Sequence, residues 1–222
     1  MKVLLSLSGG VDSTTLLYDL ANQGHEVHTV FFDYGSKHNE YERKALQNII
    51  RDPKVSSFET IDATSIFTGL ESSLLKTGED IPEGHYSSES MKSTVVPARN
   101  LIFISILTAM AISKKADIVA LAIHAGDHAI YPDCRPMFFE YMRDVVEQVS
   151  EGDVSIWAPF LSWTKQQIVK HGIKLNVPYH LTRTCYKDQS LSCGKCGSCV
   201  ERLEAFQLNE ASDPVEYEKE LL

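Results

Sequence analysis

The chain opens on a short apolar run, Val3 to Leu7, which passes through SGGVDST into an apolar pattern of helical spacing, TTLLYDLANQG, ending on Gly24. Strand, glycine turn and helix in that order leave few folds open. A helix this close behind a strand packs back on the sheet and returns the next strand in parallel. The rhythm repeats: EVHTVFFDYG reads as a second strand, KHNEYERKALQNIIRD as an amphipathic helix stopped by Pro53, and SFETIDA as a third strand. From Ala63 to Val96 the pattern dissolves into a connection far longer than usual, the mark of a functional or disordered segment. It resumes with a helix after Pro97, the strand DIVALAIH, the polar turn HAGDHAIYPDCR, the helix PMFFEYMRDVVEQV, an edge strand in VSIWAPF and a helix that Thr164 opens as N-cap. The expected fold is α/β: a doubly wound, mostly parallel sheet over residues 1–176, with a small C-terminal lobe over 177–222.

Glycines between a strand and a helix let backbone N–H groups approach an anion, where the helix N-terminus adds partial positive charge. Gly9 and Gly10 stand there, with the hydroxyls of Ser8, Ser13 and Thr14 as further hydrogen-bonding groups and Asp12 to orient the loop or hold a magnesium ion. The stretch reads as a phosphate cradle rather than a glycine turn that merely joins two elements. It is not the GxxxxGK[ST] loop, because the lysine that holds the β- and γ-phosphates is missing. That argues against kinase and GTPase chemistry.

Five cysteines in a chain without a leader are not expected to form a disulfide framework, and Cys185, Cys193, Cys196 and Cys199 cluster in TCYKDQSLSCGKCGSC. Four thiolates on tight glycine turns suit a closed, structural tetrahedral zinc site, and the ferredoxin run ending in CP is absent. Cys134 stands apart, as inert packing rather than a nucleophile. With 21 basic and 30 acidic residues the net charge is -9, which favours small substrates over nucleic acid. The longest apolar stretch, Leu101 to Ile112, falls short of the roughly 20 residues a bilayer needs and reads as a helix buried on most sides. No membrane span is expected, and with no signal-peptide core after Met1 a cytoplasmic location is.

SGGVDS resembles the PP-loop of the ATP pyrophosphatase superfamily, whose members cut ATP between the α- and β-phosphates and transfer AMP to a substrate oxygen. The chain also carries GHY at Gly84 to Tyr86, VVPARN at Val95 to Asn100, YPDCR within His124 to Arg135, APF at Ala158 to Phe160, and TK at Thr164 and Lys165. With the cysteine tail, these motifs resemble in order the 7-cyano-7-deazaguanine synthase family, from residue 3 to about residue 209. One departure is visible: RTCY at Arg183 to Tyr186 stands where the family has WSCY, which bears on the packing of the metal lobe or the mouth of the site.

The resemblance implies a Rossmann-like, adenine nucleotide alpha hydrolase-like fold, a homodimer, ATP as substrate with Mg2+, structural Zn2+, and a nitrile base made from 7-carboxy-7-deazaguanine and ammonia. In chemical terms each carboxyl oxygen must leave as AMP, so two adenylations are implied. Leu7, Ser8, Gly9, Gly10, Val11, Asp12, Ser13 and Thr14 would cradle ATP, with Asp33 near the nucleotide and Arg99 on a phosphate or carboxylate. Asp127 and Asp133 suit the donor edge of a guanine-like base or magnesium, Tyr131 suits stacking on the base, and His124 joins them. Asp12, Ser13, Arg99, Asp127 and Asp133 are the candidate catalytic groups. His85, Tyr86 and Lys92 sit in the long loop, which is suited to closing over the substrate. An amide-forming or amine-conjugating relative, a tRNA-thiolating enzyme and a non-catalytic nucleotide sensor are the competing readings.

Overall fold

The structure, a computed structural model, describes residues 1–85 and 88–218. Five strands, β1 (Lys2–Ser6), β2 (Glu26–Asp33), β3 (Val55–Asp62), β4 (Ile118–Ala120) and β5 (Ser155–Trp157), form one sheet in the order β3-β2-β1-β4-β5. Every pairing is parallel. The strands alternate as a sheet buried on both faces demands: Val3, Leu5, Val27, Phe31 and Ile118 enter one core, Leu4, Val30, Phe32 and Val119 the other. The first core is covered by α1 (Val11–Asn22), α2 (Asn39–Ile49) and two later helices, α6 (Lys165–Lys174) and α7 (Gly197–Gln207). The second lies under α4 (Arg99–Lys114) and α5 (Pro136–Val149), after a single short turn of helix, α3 (Thr64–Phe67).

The winding runs β1 to β3 in one direction, then crosses to β4 and β5 in the other. The switch point falls between β1 and β4, where open sheets of this kind leave a crevice beyond the strands' carboxyl ends. The phosphate-cradle loop follows β1 and the His124 turn follows β4, so both expected site segments meet there.

Local signals explain the element ends. Gly24 at φ +83 follows α1, and the His25 N–H returns to the Leu20 carbonyl at 3.2 Å, a Schellman close. Thr164 opens α6 with a capping box to Gln167. β4 stops at Ala120, shorter than DIVALAIH suggested. Helix α4 was expected to be buried on most sides, but only one face is: Phe103, Ile104, Leu107 and Ala111 are buried, whereas Leu101 and Ile112 are exposed. The helical run Glu89–Lys114 is long and apolar enough to cross a membrane by composition. It is broken, however, by Ala98 at φ +54, and α4 itself, at 16 residues, is about 24 Å long, short of a bilayer's core.

Among its described residues, the long connection packs several side chains into the core. Leu74, Leu75, Ile81 and Met91 are buried, and Ser36 bridges to Leu75 beside the end of β2. Past Val177 the chain returns to the first core through Tyr179, Ala205 and Phe206, and the Arg183 N–H donates to the Gly9 carbonyl at 2.9 Å.

Candidate active site

The switch-point cavity is built first by the loop. Gly9 takes φ +79, a conformation that costs a side chain dearly, and Gly10 starts α1 with the Ser8 Oγ only 3.3 Å from where a Cβ would sit. No side chain caps α1, so its first N–H groups stay available to an anion. Ser8 and Ser13 hydroxyls lie 3.2 Å apart and the Gly10 N–H donates to Ser8 Oγ at 3.3 Å, which shapes the loop from inside.

A charge cluster lies beside it. Lys165 Nζ, on the first turn of α6, is 2.6 Å from Asp12 Oδ2 and 3.3 Å from Glu201 Oε2. His124 Nε2 lies 3.9 Å from Asp12 and 3.5 Å from Asp127. Because His124 Nδ1 accepts from the Gly126 N–H at 3.1 Å, its Nε2 carries the proton toward those carboxylates. Burial alone would push Asp12 up, but Lys165 and His124 outweigh it and hold the carboxyl below its usual range. Burial opposes the charge of Lys165 too, and Asp12 and Glu201 more than reverse it. The second oxygen of Asp12 is buried without a hydrogen-bond partner among the described residues, an acceptor suited to a cation.

Leu7, Ser8, Gly10, Val11, Asp12, Ser13, Arg99, His124, Asp127 and Tyr131 line this cavity. Others stand elsewhere. Asp133 is not a lining residue: its carboxylate accepts from the Asn100 N–H at 2.8 Å and so holds the start of α4. Asp33 is engaged by Gly35, Asn39 and Arg43 at 2.9–3.2 Å, closing the turn into α2. Gly9 and Thr14 are buried behind the loop, and exposed His85 sits 3.5 Å from Glu204. Lys92 pairs with Glu89 on the surface, and Tyr86 lies outside the described residues. Tyr131 is tied by its hydroxyl to Thr94 at 2.8 Å. Cys134 is buried against Asn100, and burial pushes its thiol far up, so it is no activated nucleophile.

Several lining residues have no reading as site residues in the sequence: Lys165, Glu201, Glu42 and His38. Lys165 stands in the TK motif, and its place after an N-cap gives no hint that α6 lies against α1. The departure at Arg183 has a structural account. Its guanidinium donates to the carbonyls of Lys187, Gln189 and Ser190 at 2.8–3.1 Å and stacks 4.9 Å over Tyr41, so it folds the metal segment and pins it to α2.

The four clustered cysteines place their sulfurs within 4.8 Å of one another, all buried. A zinc tetrahedron with Zn–S near 2.3 Å has sulfurs about 3.8 Å apart, close to the 3.9 Å between Cys193 and Cys199. Backbone N–H groups of Cys193, Lys195 and Cys196 point at the sulfurs at 3.2–3.4 Å, as they do around bound thiolates. Thr184 and Ser198, next to Cys185 and Cys199, line the cavity, so the metal segment forms one wall of it.

The model of the queuosine biosynthesis protein QueC matches residues 2–210. The chain belongs to the QueC family. Among curated QueC-type relatives, the 7-cyano-7-deazaguanine synthase of Methanoregula boonei is 48% identical over 98% of this chain and all of its own length. That of Caldicellulosiruptor saccharolyticus is 44% identical over the whole chain and 97% of its own length. Among solved structures, the U34-tRNA thiolase NcsA of Methanococcus maripaludis, with its [4Fe-4S] cluster, shares the fold at a TM-score of 0.54 and 14% identity, over 95% of this chain and 65% of its own. NMN synthetase from Francisella tularensis gives 0.50 at 16% identity, over 95% of this chain and 77% of its own. These likenesses bear out the doubly wound α/β fold that the sequence leads one to expect.

Proposed function

We propose that this QueC-family chain converts 7-carboxy-7-deazaguanine and ammonia into 7-cyano-7-deazaguanine, consuming two ATP and releasing AMP and pyrophosphate. The observation that carries the reading is the cradle at the switch point: an uncapped helix start and the Asp12–Lys165 pair on one cavity, with Gly9 at positive φ shaping the loop from behind. A carboxylate oxygen of the base attacks the α-phosphorus, and pyrophosphate leaves into the N–H groups of the loop, with Lys165 turning from Asp12 to meet its charge. Ammonia displaces AMP to give the amide, and Asp127, beside His124, is the carboxylate placed to accept the ammonium proton. The amide oxygen is then adenylated in turn, and loss of AMP with the remaining N–H proton leaves the nitrile.

Asp12 would hold Mg2+ through its unpartnered oxygen, and the ion would neutralise phosphate charge when bound. Cys185, Cys193, Cys196 and Cys199 would hold a structural Zn2+; sulfurs this close enclose one ion and leave no room for a cubane cluster. A homodimer is supported by the apolar stripe Met137, Tyr141, Val145 and Val149, exposed along α5 at four-residue spacing. The net charge of -9 supports small-molecule partners, and the cysteines, free of disulfides, suit the cytoplasm. Given the acid base, Mg2+, ammonium and excess ATP, the protein is expected to form about two AMP per nitrile with the amide as a transient, followed by mass spectrometry. Accumulated amide at one AMP per base identifies an amide synthase, and ADP as product overturns the loop's assignment.

A further inference from the structure

Beside His38, the first turn of α2 brings into the cavity an acid the reaction above does not use. The side chain of Glu42 is 13% exposed and lines the cavity. Acidic residues in a first helical turn ordinarily face solvent and favour the helix dipole, as exposed Glu40 does here. Glu42 instead faces inward, 3.7 Å from His38 Nε2, and no arginine or lysine lies within 4 Å of its carboxyl among the described residues. Burying a carboxylate without donors is costly, so such a group calls for donors from a ligand. A further lining residue points the same way: Arg183 Nε is buried without a hydrogen-bond partner among the described residues. Around them stand flat groups suited to a planar base: Tyr34 under the Arg99 guanidinium at 5.7 Å, and Tyr186 at 5.3 Å from the His38 ring.

We propose that Glu42 is the specificity-determining residue for the base, accepting hydrogen bonds through its two oxygens from the ring N–H and exocyclic amino group of a 2-amino-pyrimidinone edge. The inference rests on the deazaguanine substrate argued above and assigns its recognition to a different carboxylate from Asp133. Two adjacent N–H donors match the two oxygens of a carboxylate. An adenine edge offers one donor and one acceptor, which match only a protonated carboxyl. The surroundings favour the ionised form once donors arrive, because Arg99 and Arg183 both act on Glu42 as positive charges.

Burial pushes the Glu42 carboxyl up to about 8, with Arg99 and Arg183 opposing and Asp33 adding to the rise. His38 is held down to about 3 by burial and by the same two arginines, so it stays neutral, and burial raises Tyr34. Arg99 is held charged throughout, its burial more than offset by Tyr34 and the other groups around it. A base that binds the ionised form must displace that proton, so its affinity should rise by up to tenfold per pH unit from 6 to 8 and then level off.

The test is equilibrium binding of 7-carboxy-7-deazaguanine, of its analogue lacking the 2-amino group, and of ATP, to the wild-type protein and to Glu42→Gln. The wild type is expected to bind the analogue at least tenfold more weakly than the acid base, with the rising pH profile. Glu42→Gln should bind the acid base roughly 10²-fold more weakly, since an amide N–H now meets a ring N–H. It should also lose most of the discrimination and show a flat pH profile, with ATP affinity within about twofold of wild type. Base binding within about twofold of wild type in the variant, with ATP binding kept or tightened because an amide matches an adenine edge, assigns Glu42 to adenine and overturns the proposal, as does a wild type that does not discriminate against the analogue. If the variant does not fold, the wild-type discrimination and pH profile still decide. Binding is read without turnover, so a protein that binds the base through Glu42 yet makes no nitrile defeats the proposed reaction and leaves this assignment standing.

Discussion

A lysine 153 residues along the chain from Asp12 supplies the charge that the phosphate loop lacks in its own sequence. With Asp12 and Glu201 both on Lys165, the ammonium is held charged at 8% side-chain exposure, ready to change partners when a phosphate arrives. Lys165→Met is therefore expected to lower kcat/KM for pyrophosphate release by on the order of 10²-fold or more, in the range of a lost oxyanion donor. Lys165→Arg should recover part of it, because charge survives where geometry does not. The rate of pyrophosphate release at saturating and limiting ATP checks this; a Met variant within about threefold of wild type would reduce Lys165 to a counter-ion for Asp12. Arg183 shows the opposite kind of residue, visible in the sequence as a departure but explained only by the three carbonyls it gathers.

At the scale of elements, α7 is fastened by one side chain. Arg202, 1% exposed, donates to both oxygens of Asp213 at 2.7 and 2.9 Å, to Thr182 and Thr184 at 2.9 and 3.0 Å, and to the Tyr179 carbonyl at 3.1 Å. Truncation leaves Asp213 charged and buried, so Arg202→Met is expected to cost about 3–5 kcal/mol. Urea unfolding measures it. Pairing it with Asp213→Leu should restore much of the loss, because an apolar pair leaves no orphan charge; a single variant within 1 kcal/mol of wild type would contradict the account. Gly172 makes a related point about α6: a Cβ there would sit 1.8 Å from the Tyr179 hydroxyl, which itself lies 2.8 Å from Thr15 on α1. Such close approach of helices cannot be read from KHGIK, whereas the capping box that starts the same helix can.

Across the whole molecule, the cysteine segment and the phosphate loop form one structure: the Arg183 N–H is bonded to Gly9, and Thr184, Ser198 and Glu201 wall the cavity. Protein purified without added metal is expected to carry one zinc per chain by elemental analysis, and Cys193→Ser with Cys196→Ser to carry none and to bind ATP more weakly as that wall loosens. Iron with sulfide in the preparation, or stoichiometric zinc in the double variant, would overturn it. The sequence alone determined the order of strands and helices, the glycine loop at the first strand's end and the four metal-ligand candidates. These depend on local causes: periodicity of apolar residues, turn chemistry, and thiolates close in the chain. Tertiary structure alone decided which charges meet. Lys165 reaches Asp12 because α6 lies against α1, Glu42 faces the cavity because the turn closed by Asp33 sets the angle of α2, and Asp133 serves α4 rather than the cavity because the helix start at Asn100 lies within its reach. Pairings between residues far apart in the chain are set by how packed elements cross, and a one-dimensional pattern records which face of an element is buried but not what is buried against it.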